Sequence, residues 1–334
     1  MTKRDSLLAY SSIQAFSYQR SPIMPQNNEL SEDKVRPLIR QIFLEKPNYP
    51  FTKLHIQKIL YKLKQNLSER YPDYPVFDVI PSYWYYEGPF SPPVNDAITA
   101  MVHSMELTAR SNGRYKLADG AHFANKGLEP YIISELQSIV KPFNRPYFDK
   151  LGEDIYSDAP SEFMPLYKYR YLVPFRKLAT RMRADPIHTD VLSQWEDALY
   201  TCERKVPRIA HFREFKTLFS SFVTEAVMVM DSARESWDYN LMKETYNVAG
   251  SIWKRFAEGI RIEDNAHDPP FTTELKSWRQ IFDNRIKVLR FELDDFTSEV
   301  IEGVQFEEPI EYDEDTKQIL SAVVKSYFST EDFL

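Results

Sequence analysis

Glycine and cysteine are the residues this chain is shortest of. Eight glycines occur in 334 residues, where average usage of about 7% would supply roughly 23. Folds that rest on glycine-rich phosphate loops or on many tight β-turns are disfavoured by that shortage. The one cysteine, Cys202, excludes an intramolecular disulfide and any zinc site built from several thiolates. Such usage suits a reducing compartment, so a cytoplasmic location is the expectation. No apolar run approaches the ~18 residues of a membrane span. Met1-Thr2-Lys3-Arg4-Asp5 is not followed by the apolar stretch of an export signal.

The familiar catalytic fingerprints are missing as well. The chain has no Walker A loop, no GxGxxG, no GxSxG and no HExxH. Its six histidines, at 55, 103, 122, 188, 211 and 267, are scattered. His188-Thr189-Asp190 reads as a helix start capped by Thr189 or Asp190. Glu292, Asp294, Asp295 and Glu299 read as a solvated helix face, and Cys202 as a small buried residue. The expectation is a protein without cofactor or metal. Linear order leaves open an enzyme assembled from distant carboxylates and histidines.

What is present is the composition of a folded protein, with 43% hydrophobic and 27% charged residues. Aromatics reach 14%, including 21 Tyr and 22 Phe, so aromatic-heavy cores and few strands are expected. The net charge is −7, divided as +3 over residues 1–130 and −10 over the remainder. A nucleic-acid surface would have to be local and confined to the first half.

The chain divides into a loosely ordered arm (1–30), a compact unit (31–125) and a helical region (126–334). Ser31 and the acids after it predict a capped helix to about residue 45, broken by Lys46-Pro47. Residues 51–67 follow helical spacing (Ile56, Ile59, Leu60, Leu63, Leu67), with Thr52 as cap and Lys53, Lys58, Lys62 and Lys64 among the polar positions. A brief extended run is expected at 76–80, an aromatic segment and turn at 83–93, and a helix at 95–107. Asn112-Gly113, flanked by 108–110 and 114–117, predicts a hairpin, since both residues tolerate positive φ. Helix, helix and two-stranded wing is the order of a winged-helix-like domain.

Beyond it, helices are expected at 127–140, 161–183, 188–203, 208–235, 239–258, 271–302 and 313–328. Residues 215–230 are apolar nearly all round and predict a central, buried helix. In 271–302, Leu275, Trp278, Phe282, Leu289, Leu293, Phe296 and Val300 form one stripe, interrupted by Arg285. That stripe is either a bundle seam or a face for a second copy of the chain. The fold class is therefore mainly α, a winged-helix-like domain with a short β-hairpin followed by a helical bundle.

Two residue sets are candidates for binding. Tyr83, Trp84, Tyr85, Tyr86 and Phe90 suit a protein partner, because Tyr and Trp supply contact area with little entropy loss, and they equally suit a core. Lys53, Lys58, Lys62 and Lys64, with Arg110, Arg114 and Lys116 on the wing, suit phosphate contacts, or else a solvated surface.

Lys53-Leu54-His55-Ile56-Gln57-Lys58-Ile59-Leu60-Tyr61, followed by Tyr83-Trp84-Tyr85-Tyr86-Glu87-Gly88-Pro89-Phe90-Ser91, resembles the Panacea (SocA-like) antitoxin-associated domain and the related YwgA-like uncharacterised family. The match rests on Lys53, Leu54, Gln57, Lys58, Leu60 and Tyr61, then Gly88, Pro89 and Val94, and spans residues ~30–120. The resemblance implies partner binding without catalysis, in toxin–antitoxin or phage-defence systems or as a proteolytic adaptor. A non-catalytic interaction protein is thus the leading expectation, and a winged-helix DNA-binding regulator the second.

Overall fold

A computed structural model describes residues 28–70, 80–118, 127–179, 189–266 and 271–304. Residues 1–27 of the expected arm, most of the run at 76–80 and the helix at 313–328 lie outside them; residues 28–30, expected in the arm, are helical. The chain is mainly α, with small antiparallel sheets in its N-terminal part. It forms two compact units, Met1–Pro160 with Ala257–Arg279, and Ser161–Phe256 with Gln280–Leu334. No helix among the described residues is long and apolar enough to cross a membrane.

The first unit opens with α1 (Asn28–Glu45). This helix starts before Ser31, which is therefore inside it and not at its cap. Next come β1 (Phe51–Thr52) and α2 (Lys53–Arg70). The Oγ1 of Thr52 accepts from the N–H of His55 at 3.1 Å, the capping bond expected of it. A hairpin follows, β2 (Tyr83–Tyr85) and β3 (Gly88–Phe90). Then come α3 (Pro92–His103), β4 (Leu107–Ala109) and β5 (Arg114–Leu117). Leu107, expected to end a helix, is instead the buried first residue of a strand. The chain reverses before it through Met105, the one described non-glycine residue with positive φ.

The ribbon β4–β5 is present, but four residues close it. The N–H of Arg110 bonds the carbonyl of Arg114 at 2.8 Å, and Asn112 Oδ1 accepts from the N–H of Arg114 at 3.3 Å. Only Gly113 takes positive φ, so a two-residue Asn-Gly turn is not formed. β5 also pairs with β1 (Phe51 with Tyr115), giving the strand order β1-β5-β4. The unit is completed by α4 (Pro130–Val140) and α5 (Arg145–Ser157), the latter unexpected. Asn144 Oδ1 caps α5 through the N–H of Tyr147 at 2.8 Å. α1 packs on α3 and α4, and α2 on α4 and α5. Val35, Ile39, Ile42, Ile59, Leu60 and Ile98 lie in the core without solvent exposure.

The second unit holds α6, α7 (Thr189–Lys205), α8 (Arg213–Glu235), most of α9 (Tyr239–Asp264) and most of α10 (Leu275–Gly303). α6 runs through Phe163–Pro165, Leu166–Leu172 and Val173–Ala179, its middle segment a π-helix. The core is aromatic, as composition leads one to expect. Phe163 stacks on Phe256 at 3.8 Å and lies 5.2 Å from Phe219, while Tyr167 donates to the carbonyl of Ala249 at 2.9 Å. α8 is not apolar all round: Phe215, Phe219, Phe222, Ala226 and Met230 are buried, whereas Glu214, Lys216, Thr217 and Thr224 are exposed. Cys202 is buried, and burial pushes its thiol up to about 12. The stripe Phe282, Leu289, Leu293, Phe296 and Val300 is buried inside this unit, with Ile286 covering the gap at Arg285. It is a bundle seam.

His55 marks where the first unit is sensitive to pH. Its ring lies 4.5 Å from Phe148 and 5.1 Å from Phe143, and Nδ1 accepts from the N–H of Thr52 at 3.3 Å. Burial, then the charges of Arg114 and Lys58, lower its pKa from 6.5 to about 4. The folded protein therefore prefers the neutral imidazole, and the unfolded chain takes up the proton first. This contribution to stability is full above pH 6.5 and is lost progressively as pH falls towards about 4. Thermal melts across that window are expected to show a shallower loss for His55→Phe than for the native chain.

Candidate functional site

The aromatic segment expected at 83–93 is a two-residue hairpin whose faces are both used. Register pairs Tyr83 with Phe90, Trp84 with Pro89 and Tyr85 with Gly88. Alternation along β2 sends Trp84 one way and Tyr83 and Tyr85 the other. Trp84 is buried, its ring 5.2 Å from Tyr156 and 6.1 Å from Tyr61. Tyr83 lies 5.5 Å from Phe90, 5.1 Å from Phe271 and 5.0 Å from Trp278. Tyr86 stacks on Tyr85 at 3.9 Å.

The partners of the second face come from far along the chain. Arg261 is 7% exposed, and its guanidinium carbon lies 4.3 Å from the Trp278 ring centre, 4.8 Å from Tyr85 and 5.7 Å from Tyr83. Its Nε has no hydrogen-bond acceptor among the described residues, so the negative ring faces do the work of an acceptor. One helical turn before it, Glu258 is 1% exposed and accepts the hydroxyl proton of Tyr86. Burial and the Glu258 carboxylate hold the Tyr86 pKa far above the usual phenol value. The phenol thus remains a donor.

A third clamp comes from α2. The side-chain amide of Gln57 donates to the carbonyl of Ser91 and accepts from its N–H, both at 2.9 Å. Gln57 is buried, and this pair satisfies backbone groups that have no ladder partner at the end of β3. The geometry also explains the need for glycine at 88. Its φ is +105°, and a Cβ there would sit 3.2 Å from Cε2 of Tyr156.

Beside the hairpin lies an open groove of about 400 Å³, lined by Tyr61, Lys64, Tyr83, Trp84, Asp158 and Asp264 among others. Lys64 Nζ donates to the carbonyl of Ile80 at 3.2 Å, and Asp158 accepts from Gln65 at 2.7 Å. Burial, then Asp264 and Asp158, push the Tyr61 hydroxyl up to about 12. Two carboxylates against one ammonium give the groove an acidic balance.

The expected phosphate contacts do not all share one exposed surface. Lys58 is 4% exposed, its Nζ 5.4 Å from the rings of both Phe148 and Tyr156, which removes it from any outer surface. Lys53 is half-buried and donates to Asn95 Oδ1 at 2.8 Å; burial, partly offset by Asp96, lowers its pKa. Lys64 faces the groove and Lys62 is half-exposed on α2. Arg110 and Arg114 are exposed on the ribbon, with Lys116 half-exposed beside them. Sequence reasoning missed Asp158, Glu258, Arg261 and Asp264. Glu258 and Arg261 sit one turn apart in an otherwise apolar helical stretch, which is the signal that was available. Among the described residues no three His, Cys, Asp or Glu side chains gather as a metal-holding group.

Comparisons with protein-family models, with curated proteins and with solved structures find no match to this chain.

Two substitutions test the clamps. Gly88→Ala is expected to cost about 1–3 kcal/mol, from strain at positive φ and the approach to Tyr156. Gln57→Leu, close in shape, leaves the Ser91 N–H unpaired, while the Ser91 carbonyl keeps the N–H of Asn95 at 3.2 Å, and is expected to cost about 1–3 kcal/mol. Urea melts read both.

Proposed function

We propose that this chain is a non-catalytic regulatory protein whose first unit docks a segment of a partner protein in the groove beside the aromatic hairpin. One observation carries the reading: an open groove with Tyr61, Tyr83 and Trp84 in its wall and Asp158 and Asp264 beside them. Aromatic walls supply binding energy at low entropic cost, and the acidic pair selects for charge. The fitting occupant is an extended segment that sets an apolar side chain next to a Lys or Arg.

The resemblance to the Panacea (SocA-like) domain agrees with this reading. Its two motif halves meet physically here, through the bonds between Gln57 and Ser91. The strand order β1-β5-β4, closing three helices with a ribbon, supports a winged-helix-like identity for the same residues. An antitoxin-like or phage-defence role in the cytoplasm is the biological setting that the resemblance suggests.

DNA binding is the second reading, favoured by the exposed Arg110 and Arg114 on the ribbon. It is the weaker one. α3, the helix that leads into the ribbon, contains no Lys or Arg and exposes Asp96, Thr99 and His103. A groove-reading helix without a cation lacks the term that dominates affinity for the duplex.

The experiment is recovery of partners on the tagged full chain from its own cells. Asp158→Lys and Tyr61→Ala are expected to lose a protein that the native chain retains, whereas Arg110→Ala with Arg114→Ala keeps it. Retention by both groove variants contradicts the proposal. A duplex shift that weakens steeply with salt, and is lost with the two ribbon arginines, selects the DNA reading instead.

A further inference from the structure

The seam of α10 is spent inside the second unit, yet the helix carries a second apolar stripe. Ile281, Val288 and Phe291 are exposed by 38%, 50% and 67%. At 3.6 residues per turn they share a face with Asn284, Asp295 and Ser298, turned away from Phe282, Leu289 and Leu293. Scattered exposed apolar residues are ordinary. Here the spacing is that of the a and d positions of a two-helix seam. Charged residues border the stripe in an ordered way: Arg285 and Glu292 lie on one flank, Lys287 and Asp294 on the other. On each flank the base precedes the acid by two turns of helix.

We propose that this face pairs with the same face of a second copy, the two helices antiparallel about a two-fold axis passing between Val288 and Phe291. In that arrangement Val288 packs on Phe291 of the second copy, and Asn284 meets its Asp295. Arg285 stands opposite Glu292 of the second copy, and Lys287 opposite its Asp294. Symmetry makes each of these contacts twice. A parallel, in-register pair keeps only Lys287 against Glu292. It sets Asp294 against Glu299, and Asp295 against its own counterpart. The order of charges therefore chooses both the occupant and its direction. Three apolar side chains make a small patch, so association is concentration-dependent and in the transient class.

Sedimentation of the full chain over a concentration series tests the pairing. The native protein is expected to shift from monomer to dimer, and Phe291→Glu to remain monomeric with an unchanged melting temperature, since the side chain is exposed. Lys287→Glu is expected to weaken the dimer by about tenfold or more, and adding Asp294→Lys to the same chain to restore it. Direction is read separately with Ile281→Cys. In the antiparallel pair the two introduced thiols lie ~25 Å apart along the axis and cannot bridge, whereas a parallel pair places them side by side. A monomer at every concentration overturns the proposal. A dimer that survives Phe291→Glu overturns it too, as does an Ile281→Cys disulfide between copies.

Discussion

Burial of Arg261 among three aromatic rings is the interaction on which the candidate site depends. A guanidinium almost removed from water costs several kcal/mol unless its surroundings replace the hydration. Tyr83, Tyr85 and Trp278 do so with ring faces, while Glu258 one turn earlier accepts a hydrogen bond from the Tyr86 hydroxyl. Two ionisable residues on one helical turn thereby hold one face of a hairpin too short to be stable alone. The opposite face is held by Trp84 against Tyr156, and the exit from β3 by Gln57. Each clamp fixes a different part of the same segment, 83–91.

The fixing of the hairpin gives the groove its shape. Tyr83, Trp84 and Pro89 line it from the hairpin, Tyr61 and Lys64 from α2, and Asp158 and Asp264 from the ends of α5 and α9. Binding surfaces made of rigid aromatics lose little entropy on docking, which is the physical reason to place the partner here and not on the ribbon tip. The aromatic residues expected to form that surface are thus mostly wall and support. In the proposed docking, their order and not their exposure is what they lend.

Local signals in the sequence are legible where the causes are local. Helical spacing located α2 and α8, Thr52 capped as its position implies, and Asn112-Gly113 marked a real ribbon. Misreadings arose where tertiary context decides. Lys58 occupies a polar position by pattern, yet aromatic rings from α5 cover it. α5 was missed although its signals are local: Asn144 caps it, Pro146 stands in its first turn, and Leu151 and Ile155 are buried four residues apart. Leu107 follows helix-forming residues, but the reversal at Met105 sends it into the sheet. Above all, nothing near Tyr86 announces a partner 172 residues away. Periodicity reports which face of an element is apolar; it does not name what covers that face.

Amide hydrogen exchange across residues 83–90 in an Arg261→Leu variant is the most direct test of this account. If the cation and its rings hold the hairpin, exchange rises first and most in that segment, while the amides of α1 and α2 keep their protection. Unchanged protection at 83–90 in the variant would contradict the account, because the hairpin would then be ordered without the interaction assigned to it.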